Sequence, residues 1–247
     1  MSAQFDAIGA NYDPIKTFPV IRYGETFTVQ KMLGDISGKK VIDLACGTGF
    51  YTRMLKRMGA DTVTGVDVSQ EMLSVAKQQE AITPLGIQYV ESDVVDLQDN
   101  LGTFDVVLAV YLLNYATDEK TFYRMFQKIY DLLAPGGQLI AYTVNPAFTL
   151  DKGDNSQYKF TVRSRDEKPP VLHRQPIGVT VHLETPIEVD NYLWDATVYQ
   201  KSSSQIGLRE LHWHPLEISP QGMEEYGQEF WHEYLENSLI CGLSCTK

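Results

Sequence analysis

The segment VIDLACGTGFYTRML, Val41 to Leu55, decides the fold. Its apolar start reads as a central strand, Gly47-Thr48-Gly49 as a tight loop, and the remainder as the opening of an amphipathic helix that Gly59 stops. Glycines between a strand and a helix let backbone N–H groups approach a ligand with no Cβ in the way. The loop nevertheless departs from a dinucleotide fingerprint. The third glycine of that fingerprint would fall at position 52, where Thr52 stands. Asp43 also places a carboxylate near the end of the strand, where a pyrophosphate would be repelled.

Strands and helices alternate on the C-terminal side of this segment. TVTGVDV reads as a second strand, and Ser69 as the N-cap of the helix QEMLSVAKQQ. IQYVESDV and FDVVLAVYLL read as strands three and four. The next helix is DEKTFYRMFQKIYDLLAPGG, with Phe122, Met125, Phe126, Ile129, Leu132 and Leu133 on its buried face and Pro135-Gly136-Gly137 as its stop; QLIAYTV is a fifth strand. Such alternation predicts a parallel sheet with right-handed crossovers and helices on both faces. Ligands of these sheets sit at the carboxyl ends of the strands, which gathers the glycine loop, Asp67, Asp93 and the residues after Val110 on one rim.

The alternation stops near residue 146. Within 146–193, QYKFTVRSR, GVTVHLET and IEVDNYLW read as β segments between Pro-rich turns. DATVYQKSSSQIG then reads as a helix ending at Gly207, LRELHWHPL as a strand, GMEEYGQEFWHEYLE as a broken helix and SLICGLSCT as a last strand. The division expected is an N-terminal helical lid over 1–38, an α/β ligand-binding core over 39–145, a β-rich insertion over 146–193 and completion of the core sheet over 194–247. The lid is read as two helical pieces broken near Pro14 and Pro19.

A net charge of −11 without a basic cluster argues against a nucleic-acid partner and for a small molecule. No apolar run is long enough for a membrane helix, and the polar start MSAQFDAIGANYD lacks the features of a secretory signal. Three cysteines, Cys46, Cys241 and Cys245, fit a reducing, cytoplasmic compartment. Cys241 and Cys245 share one strand, roughly 13 Å apart, too far for a disulfide between them. A monomer and a homodimer fit equally.

The acids narrow the ligand. Asp67, 20 residues after Gly47, is placed to accept both hydroxyls of a ribose. Asp93 can accept from an adenine amino group, with Val94 and Met72 against the ring; a strand-end acid is also a common turn cap. Asp43 suits a ligand carrying positive charge. S-adenosylmethionine combines an adenosine, an ammonium and a sulfonium, and has no phosphate.

VIDLACGTGFYTRML…GVDVSQEML…ESDVVDL…FDVVLAVYLLNY…LLAPGGQLI, within residues 40–143, resembles the class I S-adenosylmethionine-dependent methyltransferases. FDAIGANYD, YLLNYA, LIAYTVNPAF and FWHEYLENSLICGLSC extend the likeness toward the toxoflavin-biosynthesis methyltransferases, which N-methylate an azapteridine-like ring; residues 155–195 match them least. The resemblance implies a Rossmann-like seven-stranded sheet whose last strand is antiparallel. It also implies cofactor contacts from Asp43, Ala45, Gly47, Gly49, Asp67, Val68, Met72, Asp93, Val94 and Val110. Tyr12 and Arg22 match the family's Tyr and Arg at the cofactor's methionine end; a surface role is the other reading of Arg22.

Methyl transfer from a sulfonium is an in-line displacement with a good leaving group. The enzyme mainly aligns the reactants and excludes water, so the lack of a recognisable catalytic triad is not an objection. Tyr111, Asn114 and Tyr115, after the fourth strand, are expected to meet a planar acceptor. Trp194 with Tyr192 is expected to close over it, and His182 is the expected base; core packing is the other reading of each aromatic. His212 and His214 share a strand face, but no third ligand accompanies them and no metal is expected. The leading expectation is methylation of a small planar nitrogen heterocycle in secondary metabolism. An O- or C-methyltransferase of another natural product and a non-catalytic cofactor-binding protein are the alternatives, and Thr52 and Asp43 disfavour a nicotinamide-dependent reductase.

Overall fold

The computed structural model describes residues 5–6, 14–150, 152–153, 155–166 and 173–247. Seven strands form the main sheet: β1 (Lys40–Leu44), β2 (Thr62–Asp67), β3 (Gln88–Glu91), β4 (Phe104–Val110), β5 (Leu133–Val144), β9 (Arg209–His214) and β10 (Ile240–Thr246). Their spatial order is β3-β2-β1-β4-β5-β10-β9. The pairs within β3-β2-β1-β4-β5 are parallel, and β10 runs antiparallel to both of its neighbours. This is the Rossmann-like seven-stranded sheet with an antiparallel final strand that the family resemblance implies.

The helices follow from caps and apolar spacing. An unusual π-helical turn, Val20–Glu25, runs directly into α1 (Thr26–Leu33). The helix α2 (Phe50–Arg57) starts from Gly49. Ser69 Oγ accepts from Met72 N at 3.3 Å and opens α3 (Gln70–Ile82). Asp118 caps α4 (Glu119–Leu132), which buries Phe122, Met125, Phe126, Ile129 and Leu132. The helix ends before Leu133, which starts β5 opposite Phe104 instead of extending the helical face. Pro135 prevents the helix from continuing, and Lys247 Nζ donates to the carbonyls of Tyr130 and Leu133, each at 2.8 Å.

Between β5 and the remaining core strands lies a three-stranded antiparallel sheet of β6 (Phe160–Ser164), β7 (Arg174–Val181) and β8 (Ile187–Trp194). On β8, Ile187, Val189 and Asn191 are buried whereas Glu188 and Asp190 are exposed, so the sheet has a covered and a wet face. Arg165 lies over the wet face and pairs with Glu188 at 3.1 Å and Asp190 at 2.7 Å. It passes directly above Gly178, where any Cβ would collide with the guanidinium. The chain then forms α5 (Ala196–Ile206), β9, α6 (Pro220–Glu236) and β10. Gly227, at φ 77°, breaks α6 into two helical segments. No helix among the described residues is long and apolar enough to cross a membrane.

Candidate cofactor and acceptor sites

The carboxyl ends of β1, β2, β3 and β4 enclose a cavity of about 880 Å³, mouth included. Of the residues expected at a cofactor, Asp43, Ala45, Gly47, Asp67, Val68, Met72, Asp93, Val94 and Val110 line it. Gly49 stands behind that wall in a left-handed conformation, φ 79°. A Cβ there would strike the Tyr89 hydroxyl and the Arg53 guanidinium. Gly47 is left-handed at φ 54°, and Ala45, without glycine's freedom, is left-handed at φ 60°. Backbone strain of this kind collects at functional sites.

The acids are held before any ligand arrives. Asp67 Oδ2 accepts from Gly47 N at 2.7 Å, and Oδ1 from Ser69 N at 2.9 Å. Burial raises its pKa, while the N–H groups of Ser69, Gly47 and Val68 oppose the rise. Asp43 is 1% exposed, and its Oδ2 accepts from Thr52 Oγ1 at 2.6 Å. The residue that replaces the third glycine is therefore the hydroxyl that holds Asp43. Burial pushes the Asp43 carboxyl up to about 7; the Asp67 charge adds to this, and the Thr52 bond and the Lys16 charge counter it. Asp93 Oδ1 accepts from Val95 N at 3.1 Å, so Asp93 both caps the turn Val94–Asp96 and faces the cavity.

These residues fit S-adenosylmethionine. Two buried carboxylates are costly to ionise, and a cation between them offsets that cost. The same pair would repel a pyrophosphate. Asp67 lines the cavity beside the glycine loop, and Met72 and Val94 add apolar wall for a ring.

Several expected residues lie elsewhere. Tyr12 falls outside the described residues. Arg22 is exposed, with its guanidinium carbon 5.1 Å from the centre of the Tyr23 ring, and does not line the cavity. The cation that does line it is Lys16, only 12% exposed, with Nζ 5.2 Å and 5.0 Å from the ring centres of Phe50 and Tyr51. The helical turn directs residue 22 outward and residues 21 and 25 inward. Glu25, fully buried, accepts from Tyr51 Oη at 2.5 Å and from Tyr111 Oη, and lies 3.7 Å from Lys16. Sequence reading missed Glu25, yet it carries a signal: it sits on one stripe with Ile21 and Val29, an acid on an otherwise apolar face.

A second cavity, about 770 Å³ with its open mouth included, adjoins the first; Tyr111 and Tyr115 line both. Its walls are Ile15, Phe18, Val20 and Ile21 from the N-terminal segment, the covered face of the three-stranded sheet, and Tyr158, Tyr234, Leu239 and Ile240. Tyr111 is left-handed at φ 58° and is fixed by its N–H on the Tyr142 carbonyl at 2.7 Å. Asn114 is buried outside the cavity and donates to Asn191 Oδ1 at 2.6 Å; Asn191 faces the cavity. Trp194 is not a pocket wall. It is 1% exposed, packs on Phe122 at 5.1 Å between ring centres and donates from Nε1 to the Ala116 carbonyl at 3.2 Å. His182 is exposed just beyond β7; strand alternation gives the cavity Val181 instead. His214 bonds Ser244 Oγ at 2.8 Å, and no metal-binding cluster exists among the described residues.

Comparison with known proteins agrees with this fold. Residues 41–137 match the methyltransferase domain family. A methyltransferase from Mesorhizobium loti that depends on S-adenosylmethionine superposes with a TM-score of 0.66 at 19% identity, over 94% of this chain and 100% of that one. DhpI, solved as a complex with S-adenosylhomocysteine (SAH), gives a TM-score of 0.60 at 18% identity over 98% and 93% of the two chains. Two curated relatives are ubiquinone biosynthesis O-methyltransferases. The one from Coxiella burnetii is 34% identical over 46% of this chain and 47% of its own length, and the one from Vibrio parahaemolyticus is 26% identical over 89% and 85%. The chain thus spans about half the length of the first of these relatives. The fold is that of the class I S-adenosylmethionine-dependent methyltransferases.

Proposed function

We propose that the protein is an S-adenosylmethionine-dependent methyltransferase of a small-molecule acceptor. The observation that carries this reading is the pair of joined cavities: one is rimmed by Asp43, Asp67 and Asp93, the other is largely apolar, and Tyr111 and Tyr115 stand between them. The cofactor supplies a methyl group on a positively charged sulfur. Asp67 receives the ribose hydroxyls, Asp93 the adenine edge, and Lys16, in the place expected of Arg22, the carboxylate of the methionine end. Asp43 stays ionised beside the cation. Residues 1–38 and 146–193 act as a lid and a cap that keep water from the junction, where exclusion of water and alignment supply most of the rate.

The acceptor is a small, mostly apolar molecule with a planar reactive end. Tyr111 and Tyr115 flank that end, and Asn191, oriented by Asn114, hydrogen-bonds its edge. The likeness to toxoflavin-biosynthesis methyltransferases favours a planar nitrogen heterocycle of secondary metabolism. The names of the curated relatives and the scarcity of polar groups in the second cavity favour O-methylation. The acidic, patch-free chain and its buried free cysteines support a cytoplasmic enzyme without nucleic-acid or membrane partners. The test is a mass-spectrometric screen of azapteridine-like heterocycles and alkylated phenols with S-adenosylmethionine. A gain of one methyl on a member of either set is the expected result, and no methylated product from either set contradicts the reading.

A further inference from the structure

Glu25 is a buried carboxylate outside the lining of the cofactor cavity. Its side chain is 0% exposed and takes hydrogen bonds from Tyr51 and Tyr111, with Lys16 as its only ion-pair partner among the described residues. It ends a π-helical turn, a distortion that is frequent at functional sites. Tyr111, which bonds it, is a bulky residue forced left-handed at the mouth of β4. Two locally unfavourable conformations thus meet in one hydrogen bond, at the junction of the two cavities.

Building on the reading above, we propose that Glu25 is the proton acceptor of methyl transfer, reached through the Tyr111 hydroxyl, and that the acceptor is a planar molecule whose reacting atom bears an acidic proton, a phenol-like O–H or a ring N–H. A phenol oxygen donates one proton and can accept another, so Tyr111 can pass a proton without holding charge. The acceptor's lone pair forms the new bond to the methyl carbon. The carbon–sulfur bond breaks, its electron pair remains on sulfur, and the sulfonium becomes a neutral thioether. The acceptor's proton moves to Tyr111 Oη as the Tyr111 proton moves to Glu25 Oε2; Glu25 ends neutral and later releases the proton to water.

The surroundings of Glu25 suit this task. Burial and the Glu25 charge push the Tyr51 phenol well up, so Tyr51 remains a donor. Burial and the same charge also raise the phenols of Tyr142 and Tyr234. Lys16 is the opposing charge among the described residues. The phenols around Glu25 therefore remain donors.

The test uses 4-nitrophenol, whose anion is yellow, added to the protein saturated with S-adenosylhomocysteine at a pH just below the free phenol's titration. The wild-type protein is expected to develop the band of the bound anion. Glu25→Gln and Tyr111→Phe are each expected to lose that band while still binding S-adenosylhomocysteine by calorimetry. A wild-type protein that binds the cofactor product and leaves the phenol neutral up to millimolar concentration overturns the relay alone. An unchanged band in Glu25→Gln overturns it as well. Failure to bind S-adenosylhomocysteine contradicts the cofactor reading instead.

Discussion

Asp43 shows how one residue ties sequence to chemistry. It is visible in the sequence as an acid where a phosphate-binding loop would not have one, whereas its partner Thr52 reads only as a missing glycine. With the carboxyl near 7 when folded and 3.8 as its ordinary value, the folded chain holds a proton between those limits that the unfolded chain has shed. Stability without ligand therefore falls as pH rises across that window, and a cation bound beside Asp43 counteracts the loss. The rise in melting temperature given by saturating S-adenosylmethionine is expected to be larger at about pH 8 than at about pH 6. The affinity should weaken by about tenfold per pH unit below 7. Calorimetry or thermal scans showing no pH dependence over this range would contradict the role of Asp43. Lys16 was not legible: a lone lysine between two prolines gives no periodic signal, and its direction comes from a helical turn of non-standard pitch. Lys16→Ala is expected to weaken S-adenosylhomocysteine binding by roughly tenfold or more, the worth of a charge-assisted hydrogen bond, whereas Arg22→Ala should leave it unchanged.

At the scale of elements, most of the chain was legible because caps and periodicity agree. Ser69 and Asp118 cap α3 and α4, Gly207 ends α5, and the break in α6 falls on Gly227. The helix α4 ends at Leu132, just short of Pro135, and Leu133, buried as expected, belongs to β5 instead. Trp194 illustrates a harder ambiguity. At the end of β8 its side chain turns to the core instead of the cavity, since Phe122 and the Ala116 carbonyl satisfy both its ring and its N–H. Trp194→Ala should therefore cost about 3–5 kcal/mol of stability, read as a lowered denaturation midpoint. A fully stable variant defective only in acceptor binding would restore Trp194 to the pocket.

For the whole molecule, the parallel sheet and its rim follow from alternating strands and helices, but the second cavity does not. Its walls come from segments distant in sequence, Ile15 to Ile21, β6 to β8, and Leu239 with Ile240, and no local pattern says that they converge. The sheet β6-β7-β8 turns its apolar face to that cavity and its charged face to water. Val179→Asp, which places a carboxylate on the covered face, is expected to raise the acceptor KM by at least about tenfold, the scale of an unpaired buried charge, with cofactor affinity unchanged; equal losses in both would deny the two cavities separate roles.

The proposed chemistry rests on three strand-end acids that hold a phosphate-free nucleoside with positive charge. Calorimetric titration of the wild-type protein and Asp67→Ala with S-adenosylhomocysteine and with NAD decides whether they do. Binding of S-adenosylhomocysteine to the wild type, a loss of about a hundredfold in Asp67→Ala, on the scale of two hydrogen bonds to a charged group, and no heat with NAD are the results predicted. Tight NAD binding, or equal affinity of both proteins for S-adenosylhomocysteine, would contradict it.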